Sequence, residues 1–142
     1  FFSSGFDRPM AMAVRLGGHG DVTASHLTWT IKKSAPHTPS MLLEGDELYM
    51  VSDGGIASCV DAKRGTVYWN ERLGGSYSAS PILAGGKIYF VSEAGVANVI
   101  SIGKKFKLLA KNDLRERSLA SPAVADGALF IRTAEHLWKF QK

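Results

Sequence analysis

Apolar and polar residues alternate along this chain in short runs, and each run stops at a turn residue. Glu47-Leu48-Tyr49-Met50-Val51 sits between Gly45-Asp46 and Asp53-Gly54-Gly55, and Lys87-Ile88-Tyr89-Phe90-Val91 sits between Gly85-Gly86 and Glu93-Ala94-Gly95. A period of two, rich in β-branched and aromatic residues, predicts strands, and turn residues every eight to twelve positions or so mark an all-β fold. No segment carries the apolar spacing of an amphipathic helix, so no helix is expected.

Laid over itself, the sequence repeats. Ser40 to Ile56 falls on Ser80 to Val96 at an offset of 40 without a gap, and Ser121 to Arg132 continues the series at an offset of 41. Trp69 steps back by 40 to Trp29, and Phe2-Ser3-Ser4-Gly5 matches Val51-Ser52-Asp53-Gly54. Four short strands in about forty residues make one blade of a β-propeller. The expected organisation is therefore a single propeller fragment over 1–142: a partial blade at 1–38, whole blades at 39–79 and 80–120, and a partial blade at 121–142. Counted out, that is fourteen strands in about four blades, two of them complete and four-stranded. A propeller closes with roughly four to eight blades, so an open row leaves an apolar blade face bare at each end. Two covers are expected: a second copy of the chain, completing a ring of about eight blades, or the rest of a longer chain. The opening Phe1-Phe2-Ser3-Ser4-Gly5 has neither an initiator Met nor a basic n-region and reads as the middle of a strand.

Composition narrows the partners more than the fold. The 142 residues suffice for one domain with a core; 45% are hydrophobic and 21% charged, and the 15 glycines suit a fold full of tight turns. The net charge of +4 comes from residues 104–117, where Lys104, Lys105, Lys107, Lys111, Arg115 and Arg117 stand against Asp113 and Glu116. Such a cluster gains from counterion release against phosphate or an anionic membrane. Phe106, Leu108 and Leu109 interrupt it, and the alternation predicts lysines on a solvated strand face with apolar residues on the other, so nucleic acid is not an expected partner. Cys59 is the sole cysteine, which leaves no internal disulfide. No apolar run approaches the roughly twenty residues of a membrane-spanning helix.

One motif stands out. Asp61-Ala62-Lys63-Arg64-Gly65-Thr66-Val67-Tyr68-Trp69 resembles the A-x-D-x-x-T-G-x-x-x-W consensus of PQQ-like propeller repeats, with Arg64 at the usual Thr position. In the next blade Ser101, Gly103, Lys105 and Leu109 replace the motif residues, and in the first blade Trp29 alone represents them. The resemblance implies that Asp61 caps a turn, that Gly65 takes a positive φ, and that Trp69 and Trp29 dock between blades; these are blade markers, and no catalytic residue is assigned. PQQ-like repeats occur in quinoprotein dehydrogenases and in the assembly lipoprotein of the bacterial outer-membrane β-barrel machinery. The former imply pyrroloquinoline quinone and calcium held by acidic and amide ligands, a catalytic Asp and often a vicinal disulfide. A single cysteine removes the disulfide, and no Asp/Glu/Asn cluster occurs at metal-ligand spacing, so no cofactor is expected unless the chain is part of such an oxidoreductase. The lipoprotein type implies a periplasmic or extracellular setting and work done by protein contact.

The remaining candidates are weaker. His19, His26, His37 and His136 show no H-x-H, H-x-x-x-H or HExxH spacing, so no zinc site is expected. Gly17-Gly18-His19-Gly20-Asp21-Val22-Thr23-Ala24-Ser25-His26 lengthens the third-to-fourth strand link of the first blade, and extra loop on a rigid scaffold is where function is added. His19, Asp21 and His26 are its candidate ligand or partner contacts; the structural alternative is a turn at Asp21 and Thr23 with His26 starting the next strand. The paired glycines lack the strand-to-helix setting of a phosphate loop and read as hairpin turns. Ser80-Pro81 and Ser121-Pro122 recur with the blade and read as first-strand geometry, while Tyr77 and Phe6 read as exposed aromatics of a binding face. Together these features predict a binding or scaffold module, with a quinoprotein oxidoreductase fragment as the alternative.

Overall fold

The computed structural model describes residues 1–4 and 7–141. Among these residues fourteen strands form four antiparallel sheets, each wound in sequence order. The first sheet has three strands, β1 (Phe2–Ser4), β2 (Met10–Val14) and β3 (Leu27–Ile31), with a single-turn helix α1 (Thr23–His26) ahead of β3. The second has four: β4 (Leu42–Glu44), β5 (Glu47–Val51), β6 (Ile56–Asp61) and β7 (Val67–Arg72). The third also has four: β8 (Ile82–Ala84), β9 (Lys87–Val91), β10 (Val96–Ser101) and β11 (Leu108–Asp113). The fourth has three, β12 (Ala123–Ala125), β13 (Ala128–Arg132) and β14 (Leu137–Phe140). This is a partial β-propeller.

Alternation explains how one sheet serves two neighbours. Leu48, Met50, Val60 and Ala62 of the second sheet pack with Ala11, Ala13, Trp29 and Ala35. Their neighbours in sequence, Tyr49, Val51, Ala57, Cys59 and Trp69, point the other way and pack with Ile88, Phe90 and Ile100 of the third sheet. Both faces of a middle blade are thus buried, which is why β5 reads as a nearly continuous apolar run. Val91 and Ala97 then face Ile131 of the fourth sheet.

The inner and outer edges follow from contacts. Ser40 N donates to Ser80 Oγ at 2.9 Å, and Ser80 N donates to Ser121 Oγ at 2.9 Å. First strands of successive sheets therefore nearly touch, which puts them on the narrow, axial side of the wedge. Because every pairing is antiparallel, first-to-second turns and third-to-fourth links share one face, and second-to-third turns and the links between sheets share the opposite face.

Three expectations need correction. A helical turn does form at Thr23–His26, and His26 ends it rather than starting the strand; one turn is too short to leave an apolar period. Leu109 is not the counterpart of Trp69: β10 and β11 place Ala110 opposite Val99, as β6 and β7 place Trp69 opposite Cys59. The turn between β10 and β11 carries one more residue, which shifts the register. Leu108 and Leu109 are both largely exposed, at 45% and 40%, because β11 is the outer edge strand; only Phe106 turns inward onto the core.

Candidate functional site

The motif residues meet at the seams between sheets. The Asp61 carboxylate accepts hydrogen bonds from the amides of Lys63 (2.9 Å) and Arg64 (2.8 Å), from Tyr68 Oη (2.9 Å) and from the Arg64 guanidinium (3.3 Å). These donors, the Arg64 amide foremost, hold its carboxyl below the usual value. Gly65 takes φ +71°, and a Cβ there would lie 2.7 Å from Trp29 Cγ, so the missing side chain is the seat of the preceding blade's indole. Trp29 Nε1 donates to Ala62 O at 2.9 Å, closing the contact. One blade on, Trp69 Nε1 donates to Gly103 O at 3.1 Å and its ring meets Phe106 edge-on at 5.1 Å. Each tryptophan thus clamps its own outer strand to the next blade's third-to-fourth link.

A second set of contacts works on the opposite face. The Asp53 carboxylate accepts from the amides of His37 (2.7 Å) and Thr38 (3.2 Å); its burial opposes ionisation, but these bonds outweigh it and keep the carboxyl below its usual value. Forty residues later Ser78 Oγ donates to Glu93 at 2.5 Å. Tyr77, expected on the surface, is 1% exposed: the link that carries it is held by Tyr77 N to Asp53 O (3.0 Å) and Glu93 N to Ser76 O (2.8 Å), and its hydroxyl accepts from Asn98 Nδ2. Phe6 lies outside the described residues. Ser80 and Ser121 are spent on the first-strand contacts described above.

The long loop is built from local bonds. Asp21 Oδ1 caps the Thr23 amide at 2.9 Å, which lowers its carboxyl pKa. Ser25 Oγ meets His26 Nδ1 at 2.7 Å, and Arg15 reaches Ser25 O. The His26 ring lies against Gly18, where a Cβ would come within 2.9 Å of it. His19 is exposed. Among the described residues His19, Asp21 and His26 do not join in a group able to hold a metal ion. Sequence reasoning passed over Leu16, which stands 99% exposed at the start of this loop.

Two shallow pockets open on the face opposite this loop. One, of about 420 Å³, is lined by Ser76, Glu93, Ala94, Arg115, Glu116 and Arg117. The other, of about 380 Å³, includes Lys32, Ser34, His37 and Asp53. Glu116 is engaged by Thr133 Oγ1 (2.6 Å) and His136 Nδ1 (2.5 Å), which hold its carboxyl low.

These seams decide the kinship. The family model described as outer membrane protein assembly factor BamB, built on PQQ-like repeats, matches residues 20–105, more than half of the chain. The chain belongs to this family. Among solved structures, BamB from Moraxella catarrhalis superposes with a TM-score of 0.65 at 15% identity, over 84% of this chain and 36% of that one. A europium-containing methanol dehydrogenase superposes with a TM-score of 0.60 at 12% identity, over 79% of this chain and 22% of that one. At such identities the likeness is one of fold, and the PQQ-like arc spans little more than a third of the first protein and under a quarter of the second. No curated protein matches.

The PQQ-like arc can be tested for the donors a quinone cofactor and calcium would need. Asp61, Glu93 and Glu116 already accept hydrogen bonds from their own or adjoining blades. Cys59 is buried, which is the main reason its thiol is pushed up to about 12, and it has no second cysteine to pair with. No group of three or more His, Cys, Asp or Glu side chains among the described residues is placed to hold a metal ion. The described residues therefore do not make up the acidic ligand set that calcium takes.

Proposed function

We propose that this chain is a non-catalytic PQQ-like propeller module of the bacterial envelope that works by binding, as a scaffold for protein or another extended ligand. The use made of the family motif carries this reading: Asp61 is consumed in capping its own blade's turn, and Gly65, Trp69 and Trp29 in joining blades, which leaves loops and faces for partners. The name of the assembly factor whose family the chain shares supports contact with protein and an envelope setting.

The likeness to a methanol dehydrogenase favours a second reading, a portion of a quinoprotein oxidoreductase whose cofactor ligands lie on blades outside this chain. Titrating the protein with pyrroloquinoline quinone and calcium separates the two. Unchanged tryptophan fluorescence and no dye reduction are expected; saturable, calcium-dependent quenching accompanied by dye reduction would replace the first reading with the second.

Covering the end sheets is part of the same proposal. On the face of the first sheet turned away from the second, Phe2 is 46% exposed, and on the face of the fourth turned away from the third, Leu137 is 69% exposed. A second copy, giving a ring of about eight blades, or further blades of a longer chain would bury them. For the second copy, light scattering should show a dimer that dissociates on dilution. A monomer at every concentration removes it.

A further inference from the structure

We propose that the face bearing the third-to-fourth links docks on an anionic phospholipid surface. The strand order puts three links side by side on this face: residues 15–26 of the first sheet, 62–66 of the second and 102–107 of the third. Two of them present a bare apolar side chain, or tip, near their start: Leu16 at 99% exposure and Ile102 at 41%. Each tip is flanked by cations: Arg15 beside the first, and the exposed Lys104, Lys105 and Lys107 beside the second. The middle link differs. Its Lys63 pairs with Asp46 at 2.8 Å and its Arg64 with Asp61 at 3.3 Å, whereas the three lysines of the third link have no ion-pair partner among the described residues. Lys104 lies 5.0 Å over the Tyr68 ring, a contact that positions its charge without neutralising it.

The shape of this face argues for lipid over protein. An apolar tip that binds a protein needs a matching hollow, and separated tips need separated hollows in register. A bilayer interface accepts an apolar side chain at any position while its headgroups attract the cations around it. The two shallow pockets described above open on the other face. Lipid docking by the tips also leaves that pocketed face turned outward, free for a partner.

Sedimentation with vesicles of phosphatidylcholine, with and without about 30% phosphatidylglycerol, tests this. Binding is expected only to the anionic vesicles and should weaken as salt rises. Replacing Lys104 and Lys105 by Glu should lower it at least tenfold, since each cation near a charged surface contributes about fivefold. Leu16→Ser should lower it several-fold while leaving its salt dependence unchanged. Lys32→Glu with Lys33→Glu, on the pocketed face, should have little effect. Leu16 is exposed, so its variant tests docking without disturbing the fold. Equal binding to both vesicles, no binding, an equal loss from the Lys32 and Lys33 variant, or indifference to Leu16→Ser would each overturn the proposal. So would polyglutamate binding as tightly as the anionic vesicles, which would mark the lysines as a general polyanion site.

Discussion

Gly65 shows how one residue can join two blades. Its φ of +71° is shared by Gly127, but a Cβ on Gly127 meets nothing within 4 Å, whereas on Gly65 it would strike the Trp29 ring at 2.7 Å. Gly127→Ala should therefore lose only the left-handed backbone preference, about 1 kcal/mol, and Gly65→Ala about 3 kcal/mol once the displaced indole is added. Urea denaturation of the pair isolates the steric part; equal losses would mean that Trp29 moves aside freely. Asp61 makes a prediction in pH. Its carboxyl is held below the usual value, so the stability it contributes is present above about pH 4 and lost as pH falls through its folded pKa. Asp61→Asn should be less stable at neutral pH and should lose less on acidification to pH 3 or so, read as a flatter acid limb of the urea midpoint. The sequence revealed Asp61, Gly65 and the two tryptophans through their spacing, but not that Gly65 and Trp29 touch, because they belong to different blades. Tyr77 was misread for a related reason: a tyrosine among Ser and Gly looks solvated, and only the fold tucks that link beneath two turns.

Whole elements were legible where the period was strict and lost where one residue slipped. The offset of 40 aligns Ser40 with Ser80 and thereby anticipates a repeated first strand, and the structure gives that alignment a physical content: each serine amide donates to the next serine's hydroxyl. Ser80→Ala should remove the acceptor of the Ser40 amide alone, costing about 1 kcal/mol. Hydrogen exchange should then speed up at Ser40 while the Ser80 amide, bonded to Ser121, stays protected; joint loss would mean that the inner edge opens as one piece. The third seam shows the slip. Ala110 takes the outer-strand position of Trp69, while Trp138 takes the third-strand position that Ser58 and Asn98 hold in the sheets before it. The indole has changed sheets, and Trp138 packs on the cluster of Val91, Ala97 and Ile131, so the bulk absent from one side of the seam is supplied by the other. No count of motif residues could find this, because each blade taken alone looks degenerate. Nor could sequence alone anticipate the left-handed residue in the links between sheets, where Ser34 and Arg115 adopt φ +59° and +57° at the place of Gly74.

At the scale of the molecule, the seams are local and separate. Trp29 joins only the first and second sheets, Trp69 only the second and third, and the three buried clusters each lie at a different seam. An array held by nearest-neighbour contacts behaves as a one-dimensional chain of units, in which weakening one junction frees the units beyond it before the rest. The first sheet is the exposed test of this, having a neighbour on one side only. Trp29→Ala removes a buried indole and its bond to Ala62, a loss of about 3–5 kcal/mol at that seam. Amides of β2 and β3 should then exchange many-fold faster, while those of β9 and β10, whose packing on Phe90, Ile100 and Ile131 does not involve Trp29, keep their protection. Trp69→Ala strikes the middle seam and should loosen the second and third sheets together, since each loses a covered face. A uniform rise in exchange across all four sheets in both variants would show instead that the arc unfolds as a single cooperative body, with seams too tightly coupled to fail one at a time.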